Sequence, residues 1–172
     1  MAGRPIRRAD LRRIQIRDAH WSDEIPWLGS ADVGYFAGPR TLPYILRALS
    51  AKAVSGQKDP SSVYLDLHSH HMGQGVVELL HEEDHAFAAG YSSVRAWRDR
   101  MKVLIDAGFI KATTTGNRKF AKVLLVHPER AMKRLWESGK IQDDLWQAYR
   151  NRAIEVGQRS PRDEAAAPSQ AN

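Results

Sequence analysis

Cysteine is absent from the 172 residues, which removes disulfide frameworks and thiolate metal sites together. The absence fits a reducing compartment, and the cytoplasm is the expected location. No apolar run approaches the roughly 20 residues of a membrane-spanning helix, so no membrane partner is expected. Positive residues at the N-terminus are followed by no apolar stretch, so a secretory signal is not expected either. No glycine-rich phosphate loop follows a strand pattern, which leaves nucleotide hydrolysis without support. No repeat is visible, and no serine has a base placed to make it a nucleophile. The sequence therefore gives no catalytic residue and no cofactor.

Cations are plentiful. Lys and Arg outnumber Asp and Glu by 26 to 20, a formal charge of +6, which favours an anionic partner although solubility alone is served by it too. Their distribution says more than the total. Between Tyr91 and Lys119, seven basic side chains (Arg95, Arg98, Arg100, Lys102, Lys111, Arg118 and Lys119) stand against Asp99 and Asp106.

That basic stretch sits inside His81 to Val126, around which the chain is organised. A short helix is predicted over Glu82 to Ala89, ended by Gly90, since glycine tolerates the left-handed conformation past a helix C-terminus. Ser92 or Ser93 can cap the next helix by accepting a backbone N–H. That helix, Val94 to Ala107, puts Val94, Trp97, Met101, Leu104 and Ile105 on one face. Ser92, Arg95, Asp99, Lys102 and Asp106 fall on the other, with Arg98 and Arg100 at its flanks. Gly108 stops it. Phe109 to Thr113 reads as a strand, Thr114 to Lys119 as a turn, and Phe120 to Val126 as the returning strand.

Two helices joined by a glycine turn, then a hairpin with a basic tip, resemble the winged-helix (helix-turn-helix) DNA-binding superfamily. The residues that carry the resemblance are AFAAGYSSVRAWRDRMKVLIDAGFIK and Gly116-Asn117-Arg118-Lys119, with the phrase Leu104-Ile105-Asp106-Ala107-Gly108-Phe109-Ile110 between helix and wing. The general style is similar to small bacterial proteins of plasmids and mobile elements. The resemblance implies an α+β fold, mostly helical, in which a winged helix carries an N-terminal extension and C-terminal helices. It implies sequence-specific binding of double-stranded DNA, in transcriptional regulation or in replication and maintenance of a mobile element.

The remaining chain supplies the frame. Residues 1–19 form an arginine-rich arm whose structure stays open: Leu11 and Ile14 share a helical face, while Ile14 and Ile16 alternate like a strand. Such an arm can lie on phosphates or remain a disordered tail. Residues 20–58 form an extension. Its first part, with Trp21, Trp27 and several Gly and Pro, is too punctuated for a long regular element. Its second part is a helix over Thr41 to Val54, capped by Thr41 with Pro43 in the first turn. The winged domain is expected over 59–127. It opens with a helix that starts at Asp59-Pro60, runs through Val63, Tyr64 and Leu67, and ends at Gly73. A strand over Val76 to Leu80 follows. Helices over Pro128 to Glu137 and Ile141 to Val156 make up 128–156, and 157–172 reads as a disordered tail. Trp136 and the Ile141–Ile154 stripe pack either on the rest of the chain or on a second copy, since one winged helix reads few base pairs and a homodimer would extend the site.

Two histidine groups invite other readings. His81-Glu82-Glu83-Asp84-His85 matches H-E-x-x-H, the zinc-protease pattern, but polar residues fill its centre and no third ligand is placed. A helix N-terminus rich in acids, favoured by the macrodipole, explains it better. His68, His70 and His71, with His81 and His85, form a second group of candidate metal ligands, although solvated surface suffices to explain it. No metal ligand is assigned. A zinc enzyme and a protein-interaction module that retains the fold are the alternatives to DNA binding.

In the expected mode the helix after Ser93 enters the major groove with its N-terminal half leading. Arg95 would read a base edge, as arginine pairs bidentately with guanine. Ser92, Ser93, Arg98, Asp99 and Lys102 would contact base edges or phosphates. Lys111, Asn117, Arg118 and Lys119 of the wing would reach phosphates or the minor groove, with Thr113, Thr114 and Thr115 adding neutral donors.

Overall fold

The computed structural model describes residues 38–70, 75–116 and 118–158, together with Leu11, Gln15 and Ala19. The chain divides into two units, Met1–Tyr35 and Phe36–Asn172. In the first, the three described residues are helical and exposed. The rest of the arginine arm, the Trp21–Trp27 stretch, His71, Gly73, Asn117 and the tail from 159 lie outside the described residues.

The second unit opens with helix α1 (Leu42–Ser50), which turns its Ile45, Ala48 and Leu49 inward. Pro43 occupies its first turn as expected, but Thr41 does not cap it. The Thr41 hydroxyl instead reaches Gln158, 117 positions later, at 3.0 Å. The helix expected to continue to Val54 breaks at Ala51, which takes an extended conformation, and resumes as the single turn α2 (Lys52–Ser55). Helix α3 (Ser61–His70) begins behind Asp59, whose carboxylate accepts the Ser61 N–H at 2.8 Å. Strand β1 (Val76–Glu78) is two residues shorter than expected, although the Leu79 N–H still reaches Ala121 O of the neighbouring segment at 3.0 Å.

Helices α4 (Glu82–Ala88) and α5 (Val94–Asp106) follow. Gly90 adopts φ +84°. With it in the left-handed region, its N–H reaches Phe87 O and the next N–H, of Tyr91, reaches Ala86 O at 2.8 Å. This pair of bonds satisfies two orphan carbonyls and sets the sharp turn between the helices. Of the two candidate caps, Ser93 does the work: its side chain accepts the Ala96 N–H at 3.2 Å. Gly108, at φ +80°, closes α5 in the same manner, and the buried pair Phe109 and Leu104 covers the closure.

Strands β2 (Ile110–Thr115) and β3 (Arg118–Leu125) form an antiparallel hairpin, and β1 adds to the far side of β3, giving the order β1-β3-β2. The six-residue turn expected over Thr114–Lys119 is shortened, because β2 runs on to Thr115, which pairs with Arg118. Gly116 has φ +58°, the left-handed value that tight hairpin loops demand. Two last helices, α6 (Pro128–Glu137) and α7 (Asp143–Glu155), complete the unit. Gln158, assigned to a disordered tail from sequence, bonds both Thr41 and the Tyr149 hydroxyl (3.1 Å).

The architecture is thus α+β, mostly helical, with one small three-stranded antiparallel sheet. One core serves the whole unit. Ile45 and Leu49 of α1, Tyr64 and Leu67 of α3, Trp97, Met101 and Leu104 of α5, Phe120 and Val123 of β3, Met132 of α6 and Tyr149 of α7 are buried in a single cluster. The helix of the expected extension and both C-terminal helices therefore belong to the same body as the central elements. The expected Ile141–Ile154 stripe packs within the chain: Ile141, just before α7, and Trp146 and Tyr149 on it are buried, while Ile154 is 70% exposed. Among the described residues no helix is long and apolar enough to cross a membrane.

Candidate nucleic-acid interface

Helix α5 is fixed from below by Trp97, which has no exposed surface. Its ring meets Phe120 of β3 edge-on at 5.8 Å and lies parallel to His85 of α4 at 6.4 Å. Burying an indole this completely contributes several kcal/mol, enough to decide which way the helix faces. Met101 and Leu104 continue the inward stripe. Ile105, expected on the same face, is 37% exposed; at 3.6 residues per turn it stands about 80° round from Trp97, at the stripe's edge.

The outward face carries Arg95, exposed and without a hydrogen bond or ion pair among the described residues. Ser92 and Ser93 are exposed beside it, at the helix N-terminus. Asp99, one turn on, is committed to its own chain: Lys58 approaches one oxygen at 3.0 Å and Lys102 the other at 3.6 Å. The hydrogen bond from Lys58, reinforced by the charges of Lys58 and Lys102, holds the Asp99 carboxyl below the usual carboxylate range. The acid expected to touch DNA is thus neutralised in place, and Lys58, in the sequence only the last residue of the extension, joins the face. A lysine directly before a helix of the domain was the signal for it.

Arg98 behaves differently from expectation. Its Nε donates to Glu82 Oε2 at 2.7 Å, and the Glu82 side chain is only 8% exposed. The guanidinium is therefore the counter-charge of a buried carboxylate, not a free groove contact. Arg100 lies over the Tyr91 ring at 4.7 Å. The Tyr91 hydroxyl in turn donates to Asp59 O and accepts from Ser62, so the entry to α5 is braced against α3.

On the hairpin Lys111, Thr113, Thr114, Thr115, Arg118 and Lys119 are exposed. Arg118 and Lys119 stand on β3 rather than at a loop tip, and Arg118 makes a long contact (3.4 Å) with Leu79 O. Lys122, not singled out from sequence, is exposed on the same strand and pairs in register with Thr113. Asn117 is outside the described residues.

The histidine groups are rearranged as well. His81 is the N-cap residue of α4 and exposed, Glu82 turns inward to Arg98, and His85 is buried against Asp66 of α3, Nδ1 to Oδ2 2.8 Å. The pattern's two histidines and glutamate thus go three ways. His68 packs edge-on against Tyr64, ring centroids 4.5 Å apart. Among the described residues the one group of three metal-ligating side chains with mutually close donor atoms is Asp66, His70 and His85. Asp66 was overlooked in the sequence, although an aspartate four residues before a histidine shares its helix face.

Set against protein-family models, curated proteins and solved structures, the chain matches none of them.

Proposed function

We propose that residues 59–127 form a winged helix that binds double-stranded DNA in a sequence-specific way, with α5 in the major groove and the β2–β3 hairpin against the backbone. Regulation of transcription, or replication and maintenance of a mobile element, is the biological setting proposed for it. The order helix, strand, two helices, hairpin, with β1 added to β3, supports the fold reading. The observation that carries the functional reading is Arg95. It stands exposed and unpaired near the start of an amphipathic helix whose other side is locked down by Trp97. Arginine in that position can reach guanine O6 and N7 together. Lys111, Lys119 and Lys122, exposed and likewise without ion pairs among the described residues, supply phosphate contacts and an affinity that falls with salt. Arg98 and Asp99 drop out of the contact set as direct readers, and Lys58 enters it.

The test is selection of duplexes from a random pool, followed by titration of the selected duplex at several salt concentrations. Arg95→Ala is expected to cost about 1–3 kcal/mol, roughly 5- to 150-fold, and to relax preference at one position. Lys119→Ala is expected to weaken all duplexes alike and to lower the salt slope by about 1. Selection of no duplex, or equal binding by the parent and both variants, overturns the reading. A protein-interaction module is the second reading, and it has its own observation: Phe87 and Leu80 are 84% and 65% exposed. It predicts no salt-dependent DNA affinity.

A further inference from the structure

Asp66 lies almost fully buried between two imidazoles, with a side chain 5% exposed. Its Oδ2 bonds His85 Nδ1 at 2.8 Å, and its Oδ1 faces His70 Nδ1 at 3.4 Å, a nitrogen that also lies 2.9 Å from the Asp66 carbonyl oxygen and 3.2 Å from Ser69 Oγ. The two rings meet edge to face, centroids 4.7 Å apart. Asp66 and His70 are one turn apart on α3 while His85 comes from α4, so the group spans two helices. One donor atom from each residue falls within 4.8 Å of the others. Beside the group a cleft of about 360 Å³ opens, lined by His70 and His85 and also by His81, Asp84 and Glu78.

We infer that Asp66, His70 and His85 bind one divalent transition-metal ion of the zinc type, with the remaining position open to the cleft. The donor set selects the ion. Two imidazoles and one carboxylate suit zinc and its first-row neighbours, whereas magnesium and calcium take oxygen ligands. Zinc bonds of about 2.0–2.1 Å place tetrahedral ligands about 3.3 Å apart, so the widest donor pair, within 4.8 Å, must close by at most roughly 1.5 Å. His70 can supply that movement: its side chain is 49% exposed and it ends α3. Asp66 and His85, both buried, give the rigid half of the site. Bound metal fastens α3 to α4. The inference does not depend on α5 reading DNA.

The test uses the full chain, stripped with chelator and titrated with zinc against a chromophoric competitor, alongside His70→Ala and His81→Ala. The parent should take up one zinc per chain, and His70→Ala should bind at least about tenfold more weakly. His81→Ala should bind nearly as the parent does, and magnesium should not compete. At zinc a hundredfold above Kd the parent's melting temperature should rise by about 6–10 °C, and that of His70→Ala by much less. Should His70→Ala melt early without metal, imidazole resonances of the parent decide: zinc must move those of His70 and His85 and leave His127 in place. Equal uptake by the parent and His70→Ala marks an adventitious ion only and overturns the site, as does unmoved His85.

Discussion

Removing the Arg98 guanidinium should unfold the protein at a lower temperature without abolishing the proposed DNA recognition, and the size of the effect can be worked out. The Glu82 side chain is 8% exposed and its Oε2 rests on Arg98, while Oε1 is buried without a hydrogen-bond partner among the described residues. In Arg98→Ala that carboxylate keeps its burial and loses its counter-charge. Breaking a fully buried pair in this way costs about 3–5 kcal/mol. Arg98 itself is 42% exposed, so water reaches one side of the gap, and the expectation falls to about 2–3 kcal/mol. For a body of this size that is a drop of about 5–11 °C in melting temperature. Thermal unfolding by circular dichroism reads the loss. The cycle through Glu82→Gln and the double variant separates the pair from its surroundings, with a coupling of about 1–2 kcal/mol expected. DNA affinity, measured well below the transition, should change less than in Arg95→Ala. An Arg98→Ala protein that melts with the parent, or one that keeps its stability but loses DNA, would refute the assignment of Arg98 to the interior.

Three further outcomes follow from the same contacts. Gly108→Ala should cost about 1–2 kcal/mol in denaturant unfolding, because a Cβ at φ +80° is strained; the nearby Arg134 Nη1, 3.3 Å from the new atom, is a flexible end and can yield. Burial pushes the Tyr149 hydroxyl up to about 12 from 10.0. The folded state thus holds that proton more tightly, so its contribution is complete below pH 10 and is lost as pH rises through 12. Tyr149→Phe should flatten the alkaline limb of a stability-against-pH curve, and an unchanged limb would assign alkaline unfolding elsewhere. Lys58→Ala should let the Asp99 carboxyl titrate at higher pH, read by side-chain NMR, and should weaken the proposed DNA binding by leaving the negative charge on α5 with Lys102 as its remaining counter-charge. A variant that binds DNA more tightly would contradict the proposed face.

Much of the framework was legible because it is written in local signals. Gly90, Gly108 and Gly139 stop helices where only a left-handed residue fits, and Pro128 starts α6 at the expected position. The inward stripe of α5 follows from helical period alone. What was not legible depends on partners distant in sequence. Thr41 looks like a cap until Gln158 arrives to bind it. Asp66 looks like one more surface acid until α4 brings His85 across 19 positions. Helical period puts Arg95 on the outward face and Arg98 on its flank, but it does not show that Arg98 is committed; the buried Glu82 does. The hairpin was misjudged for a different reason. Thr114 and Thr115 before Gly116 read as turn residues, yet β-branched side chains fit a strand, and Thr115 pairs with Arg118.

Helix α4 brings these threads together. Seven residues are too few to hold a helix in water, and beyond Ala86 its buried side chains are polar, Glu82 and His85. Its largest apolar side chain, Phe87, points out. Apolar area therefore contributes little to its placement. Two polar ties do most of that work: Glu82 to Arg98 on α5, and His85 to Asp66 on α3. A buried charged contact of this kind adds little net stability, but it discriminates sharply between one geometry and its neighbours, because a displaced partner leaves an unpaired charge. The angle at which α5 presents Arg95 is thus governed from α4 by residues that touch no ligand of the outer face. Metal at Asp66, His70 and His85 would tighten one of those ties, and Arg98→Ala would cut the other. The two perturbations act on a single short element from opposite sides, and α4 is where their effects on stability should fail to add.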